Sequence, residues 1–323
     1  MENNSLKLIK PARLRRGDTV GIIAPASASP HADAVERSAA ALEKLGFKPK
    51  LAANVRERLG FIAGTDEARA ADLMSMFADP EVRAIICLRG GYGTARILSL
   101  LDYEVIRRHP KILAGYSDIT SLHCALRVKA DLVSFHAPML DSALSSPDLP
   151  AFTLQSLLKT IMEPVAAGAL SAGSGAKTAV TLRGGKASGE LIGGNLSVLV
   201  TLLGTPYQPS FAGKLLFLED VDEAPYRYDR MLTHLMNAGV FEQVTGVAVG
   251  VNSNCVDRKA DTAGEYRQTL QDVLAERLGK LTVPVVLDLP FGHVAVNATV
   301  PVGVQATLDG DAGELVITEA AVS

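Results

Sequence analysis

Short apolar runs alternate with amphipathic stretches along the first half of the chain. Asp18-Thr19-Val20-Gly21-Ile22-Ile23-Ala24 is the first run, and so short and largely apolar a run predicts a buried strand. From Ala34 to Leu45 the residues Val35, Ala39 and Leu42 share one helical face, and Gly46 follows as a stop. Thr65-Asp66-Glu67 supplies a cap and an acidic first turn for a second helix, which buries Leu73, Met76 and Phe77 and ends before Pro80. Further strands are predicted at Arg83–Leu88, Lys111–Tyr116 and Asp131–Phe135. Continuous apolar strands separated by helices imply an α/β fold whose parallel sheet is covered on both faces.

The pattern breaks at residues 166–176, Ala-Ala-Gly-Ala-Leu-Ser-Ala-Gly-Ser-Gly-Ala, which bury little and have the composition of a flexible connector. The expected organisation is an N-terminal domain over 1–165, a linker over 166–186 and a smaller mixed α/β domain over 187–323. In the last, strands are predicted at Lys214–Leu218, Val247–Val251, Val283–Leu287, Thr299–Leu308 and Glu314–Thr318. Helices are predicted after Asn195 through Leu203, from Pro225 to about Ala238, and from about Glu265 to Leu278. Pro225 suits a first helical position.

The 323 residues, 48% hydrophobic and 21% charged, suffice for two cored domains. A net charge of −3 without basic blocks argues against nucleic acid and anionic membrane surfaces as partners. The leading residues lack the apolar core of a signal peptide, and no run reaches the ~20 residues that cross a bilayer. A cytoplasmic protein is expected. Cys87, Cys124 and Cys255 are far apart and odd in number, which suggests neither a disulfide framework nor a metal cluster.

Active sites of parallel α/β sheets lie at the carboxyl ends of the strands. Ser117, in Gly115-Tyr116-Ser117-Asp118-Ile119-Thr120, stands at such an end where a helical pattern begins. Two readings are open: Ser117 caps the helix, or it is a nucleophile on a sharp turn, with the Asp118 N–H aimed at an oxyanion. Glu219 is the first carboxylate after the strand at Lys214–Leu218, within Glu219-Asp220-Val221-Asp222-Glu223, and His293 follows Phe291-Gly292. Alone, these read as a solvated acidic cluster and a surface histidine. With Ser117 they give the chain order Ser, Glu, His of one known triad topology. Arg89-Gly90-Gly91-Tyr92-Gly93-Thr94 matches neither phosphate-binding spacing, and its bare N–H groups suit an oxyanion or a carboxylate. His136 reads as a ligand contact or a hydrogen-bonding structural residue, and His31, His123 and His234 as incidental. Gly193-Gly194-Asn195 lines the cleft or makes a tight turn, and Tyr226, Asp229 and Arg230 form a scaffold.

Ala63-Gly64-Thr65-Asp66-Glu67, Arg89-Gly90-Gly91-Tyr92-Gly93, Gly115-Tyr116-Ser117-Asp118, Gly193-Gly194-Asn195-Leu196, Glu219 to Tyr226 with Asp229-Arg230, and Pro290-Phe291-Gly292-His293 resemble the signature blocks of the LD-carboxypeptidases. These muramoyltetrapeptide carboxypeptidases are a serine peptidase family that also holds the microcin C self-immunity proteins. The resemblance runs from about Asp18 to Gly303. It implies a flavodoxin-like N-terminal domain, a swivelling-type C-terminal domain, and a metal-independent cytoplasmic homodimer without cofactor. It further implies Ser117 as nucleophile, His293 as base, Glu219 as its orienting group, and the N–H groups of Gly91 and Asp118 as oxyanion hole. Such a site, split between domains, forms only at their cleft. The implied substrate is a murein tetrapeptide cut before its terminal D-alanine. Its free carboxylate needs a partner, for which Arg89, the Gly90-Gly91 amides or a helix N-terminus are candidates, and Arg89, Gly90 and Tyr92 are the expected substrate-binding residues. A peptidyl or aminoacyl adenylate analogue is the alternative, which calls for an aromatic platform; Tyr92, Tyr207 and Phe291 are candidates in a chain without Trp. A third reading is a non-catalytic binding module in which Ser117 is only a cap.

Overall fold

Residues 8–170, 178–256 and 268–323 are described by the computed structural model, and they form two sheets flanked by helices. In the first, β1 (Thr19–Ile23), β2 (Lys48–Leu51), β3 (Val82–Cys87), β4 (Ile112–Gly115) and β5 (Ser134–His136) run parallel in the order β2-β1-β3-β4-β5. That is the flavodoxin-like order, with its switch point between β1 and β3. The helices between them are α1 (Ala34–Lys44), α2 (Asp66–Ala78), α3 (Thr94–Ile97), α4 (Tyr103–Arg108) and α5 (Thr120–Ala130), followed by α6 (Ala151–Met162). Val20, Ile22, Ile85 and Leu113 are wholly buried between the helical layers, as continuous apolar strands require. The predicted start of β5 shifts because Asp131 takes a left-handed conformation, φ 49°, as the C-terminal cap of α5.

The second sheet contains β6 (Ala166–Ala169), β7 (Val180–Arg183), β8 (Lys186–Asn195), β9 (Leu215–Glu219), β10 (Gly246–Val251) and β11 (Val285–Gly292). Of the later strands, β12 (Val300–Val302) pairs antiparallel with β5 in the first sheet, while β13 (Gln305–Asp309) and β14 (Glu314–Ala320) join the second. The order of the second sheet is β6-β14-β13-β8-β9-β10-β11-β7, with β8 to β11 parallel at its centre. Its helices are α7 (Leu196–Val200), α8 (Pro225–Asn237) and α9 (Leu270–Leu278), the last opened by a Thr269/Asp272 capping box. The predicted start of that helix at Glu265 lies outside the described residues.

Two features differ from the linear plan. The predicted Thr299–Leu308 strand is broken at Gly303, whose φ of 103° lets the chain leave the first sheet and enter the second. The segment expected to be a connector supplies β6 and β7, the two edges of the second sheet; its residues 171–177 lie outside the described residues. Ala and Gly bury little, but an edge strand is held by backbone pairing and needs few core side chains. The second sheet is consequently the wider of the two. Arg127 on α5 reaches across to Glu190 on β8 with paired contacts of 2.6 and 2.9 Å, and Lys214 joins at 3.0 Å. No helix among the described residues is long and apolar enough to cross a membrane.

Thr65 caps α2 by accepting the Ala68 N–H at 3.2 Å, and Phe77 on the same helix is wholly buried. Urea unfolding is expected to show a loss of about 1 kcal/mol for Thr65→Ala and about 3–5 kcal/mol for Phe77→Ala. Equal losses would mean that the cap, not the core, governs this helix.

Candidate active site

β4 delivers the chain to a turn that only close packing tolerates. Ser117 has φ 64°, a conformation costly for a residue with a Cβ and kept only where the surroundings impose it. Ser117–Ile119 form a 3₁₀ turn leading into α5, and the flanking cap positions, Tyr116 and Ile119, make no side-chain cap bond. Ser117 therefore does not cap the helix. Its geometry is that of a serine on a sharp strand-to-helix corner. The turn is pinned from below, because the Asp118 carboxylate accepts the Thr94 N–H and Oγ1–H, both at 2.8 Å. Burial pushes the Asp118 carboxyl up against the opposing pull of these bonds.

The glycine loop after β3 lies directly against this serine. A Cβ on Gly90 would come within 3.0 Å of the Ser117 Cβ, and one on Gly91, φ 111°, within 2.4 Å of the Ser27 hydroxyl. Tyr92 N–H donates to that hydroxyl at 3.1 Å, and Ser27 N–H donates to the Gly90 carbonyl at 3.3 Å. Arg69 is 1% exposed and donates to the Pro25 and Gly93 carbonyls and to Asp66. The glycines thus permit close approach at the switch point, where the loops after β1 and β3 meet.

The second sheet supplies the remaining groups. β9 ends in Glu219, wholly buried, and His293 follows directly after β11, its Nδ1 2.7 Å from Glu219 Oε2. Gly292 has φ 121°, and a Cβ there would meet the Val251 carbonyl at 2.7 Å and Glu219 at 3.2 Å, so a side chain would push this pair apart. Burial raises the Glu219 pKa, but the hydrogen bond and charge of His293 outweigh it and the net pKa is lowered. For His293 burial opposes the charge, the Glu219 contact exceeds it, and the net pKa is raised. In the neutral ring, Nδ1–H donates to the carboxylate and Nε2 is left as the basic nitrogen.

Ser117, His293, Arg89, Gly90 and Gly91 line one cavity of about 620 Å³, and a second of about 430 Å³ shares Tyr116, Ser142 and His293 with it. The Tyr116 ring lies 4.8 Å from that of His293. Arg89 donates to the Ala28 carbonyl at 3.4 Å. Tyr92 is not brought in: it is 53% exposed and packs edge-on against Phe61.

Several neighbours were misjudged or missed by sequence reasoning. His123, read as incidental, is wholly buried and bridges Ser134 Oγ at 2.8 Å and the Gly115 carbonyl at 2.9 Å, holding β4 just before Ser117. Burial lowers its pKa to about 3. His136 is not hydrogen-bonded; among the described residues neither ring nitrogen has a partner. It packs among Tyr116, Phe217 and Phe291, and burial lowers its pKa to about 4. Asp220, read with its acidic neighbours as solvated, is 1% exposed, and burial with the Glu219 charge pushes its pKa up to about 6. The signal was present: Glu219 and Asp220 continue a wholly apolar strand. Asp229 pairs with Arg277 and ties α8 to α9, a scaffold role.

The chain matches the LD-carboxypeptidase N-terminal domain over residues 20–137 and the LD-carboxypeptidase C-terminal domain over 188–308. A probable murein peptide carboxypeptidase of Bacillus subtilis is 40% identical, covering 97% of this chain and 95% of the relative. Among solved structures, a muramoyltetrapeptide carboxypeptidase from Oxalobacter formigenes aligns with TM-score 0.79 at 32% identity, over 93% of this chain and 99% of that one. The microcin C7 self-immunity protein MccF, in complex with aspartyl sulfamoyl adenosine, aligns with TM-score 0.85 at 26% identity, over 98% and 100%.

His293 is expected to titrate above the usual imidazole value of about 6.5, and Glu219→Gln is expected to bring it down. Two-dimensional NMR of the ring nitrogens across pH 5–9 measures both. An unchanged titration in the variant would show that the Glu219 carboxylate does not set this pKa.

Proposed function

The chain belongs to the LD-carboxypeptidase family and is a serine-type hydrolase; from that premise we propose that it releases the terminal D-alanine of murein tetrapeptides through Ser117, His293 and Glu219. The observation that carries this reading is His293, paired with the buried Glu219, opening on the same cavity as a serine held at positive φ. A serine hydroxyl is a weak nucleophile until a base takes its proton, and a neutral imidazole is suited to that at working pH.

Ser117 Oγ attacks the carbonyl carbon of the last peptide bond while His293 Nε2 takes its proton. Glu219 holds the ring tautomer and stabilises the imidazolium. The N–H groups of Asp118, in the first turn after the corner, and of Gly91 receive the oxyanion. The imidazolium passes its proton to the departing amine and D-alanine leaves. Water, deprotonated by His293, then attacks the acyl carbon, the bond to Ser117 Oγ breaks, and the imidazolium returns its proton to Oγ as the shortened peptide leaves. Arg89, the guanidinium of the cavity, is assigned to the free carboxylate that makes the substrate an end rather than a middle of a peptide. Family likeness supports a cytoplasmic homodimer.

The likeness to MccF supports a second reading, cleavage of an aminoacyl adenylate analogue. Two of the three aromatic platforms considered are unsuitable: Phe291 is wholly buried, and Tyr207 packs toward Tyr103 away from the cavity. Tyr92 is the exposed one. The 40% identity with a murein peptide carboxypeptidase favours the first reading. Incubation with murein tetrapeptide and separately with an aminoacyl sulfamoyl adenosine decides between them by the product released.

Ser117→Ala is expected to reduce D-alanine release by at least about 10³-fold with an unchanged melting temperature; retained activity would overturn the triad. Arg89→Ala is expected to raise KM by about 10- to 100-fold, the worth of a charged hydrogen bond, and to erase the preference for a free over an amidated C-terminus. A preserved preference would remove Arg89 from this role.

A further inference from the structure

The Gly193-Gly194-Asn195 stretch ends β8 where the two halves of the site meet. A Cβ on Gly193, φ 142°, would fall 1.9 Å from the Phe217 carbonyl, and one on Gly194, φ 140°, 2.5 Å from Thr120 Oγ1. These glycines let β8 press at once on β9, which carries Glu219, and on the first turn of α5, three residues after Ser117. The next residue, Asn195, is 3% exposed and uses that approach.

Each polar group of Asn195 has a distinct partner. Its backbone N–H donates to Thr120 Oγ1 at 2.9 Å, and Thr120 is wholly buried. Its side-chain Nδ2 donates to Glu219 Oε1 at 3.3 Å and to Asp220 Oδ1 at 3.0 Å. Its Oδ1 accepts from Val198 N–H at 3.2 Å and from Ser197 Oγ at 2.7 Å. This orientation of the amide is dictated, since the reverse would set its oxygen against two carboxylates. Glu219 is therefore held from both ends, by His293 on Oε2 and by Asn195 on Oε1. Asp220 is anchored alongside by the N–H groups of Ser197 and Val221, at 2.9 and 2.8 Å.

We infer that Asn195 is a positioning residue that sets the distance between nucleophile and base, tying the helix behind Ser117 to the carboxylate that aims His293. The inference rests on the triad reading above. One amide supplies both the mechanical link and a hydrogen for each of two adjacent buried carboxylates. Neither Asp, which accepts where donors are needed, nor Leu, which has no polar group, reproduces this. The groups that face the Glu219–His293 pair and set its titration are Asp220 next along the chain, His136 from β5, Asp222 further on and Asn195 from β8.

Asn195→Ala and the pair Thr120→Val and Thr120→Ser test this by steady-state kinetics on murein tetrapeptide, with thermal melts beside them. Asn195→Ala is expected to lower kcat by about 10- to 100-fold, the cost of a small misplacement of reacting groups, with KM within about twofold. Loss of the shared donor makes the site more negative, so the acid limb of the kcat/KM profile is expected to rise by about half a pH unit. Thr120→Ser, which keeps the accepting oxygen, is expected to retain more of kcat than Thr120→Val. A kcat within twofold of wild type, or a change in KM alone, overturns the inference. Should Asn195→Ala not fold, equal kcat in the two Thr120 variants overturns it instead. An active Ser117→Ala would defeat the triad and this inference together, whereas an inactive Ser117→Ala beside a normal Asn195→Ala defeats the inference only.

Discussion

One hydrogen bond between a half-buried imidazole and a wholly buried carboxylate, His293 Nδ1 to Glu219 Oε2, organises the candidate site. A carboxylate taken wholly out of water is tolerated only when its oxygens are satisfied and its charge is answered. Around Glu219 the fold meets this demand with His293 on one oxygen and an asparagine on the other. The requirement explains why Gly292 must be a glycine. It also explains why Glu219 at the end of β9 and Asp220 just after it can stay buried rather than form a solvated loop. On the opposite side, Ser117 is held in a strained conformation by a different set of contacts, chiefly Asp118 with Thr94 and the glycine loop at van der Waals range. The groups of the proposed triad are thus divided between two sheets.

Much of this was legible in the chain because the relevant signals are local. Alternation of apolar runs with amphipathic stretches predicted β1, α1, α2 and β3 to within a residue or two, since burial of a continuous strand and capping of a helix are decided by near neighbours. The strand-end positions of Ser117, Glu219 and His293 followed from the same pattern. What escaped was decided by tertiary partners. Asp220 looks solvated beside Asp222 and Glu223 until β8 covers it. His123 looks incidental until Ser134 and the Gly115 carbonyl are found on its two nitrogens. The Ala/Gly-rich stretch at 166–169 looks like a connector because pairing with β14 is invisible to side-chain hydropathy.

The glycines show how backbone approach is spent. Gly90 and Gly91 bring a loop against Ser117 and Ser27, and Gly193 and Gly194 bring a strand against β9 and α5. The sequence showed glycine clusters at both places, but a cluster reads equally as a turn. Only the atoms that a Cβ would strike reveal that each serves a contact between elements distant along the chain.

The route taken after His293 carries a consequence of its own. β11 belongs to the second sheet and β12 to the first, so the short span bearing His293 is anchored at both ends in different sheets before Gly303 sends the chain back. The two sheets, which correspond to two family modules, are for this reason interleaved along the chain. Separation of the halves strips β12 from β5 and leaves a bare strand edge of the kind that invites aggregation. Neither module is a portable part that recombination could graft elsewhere intact.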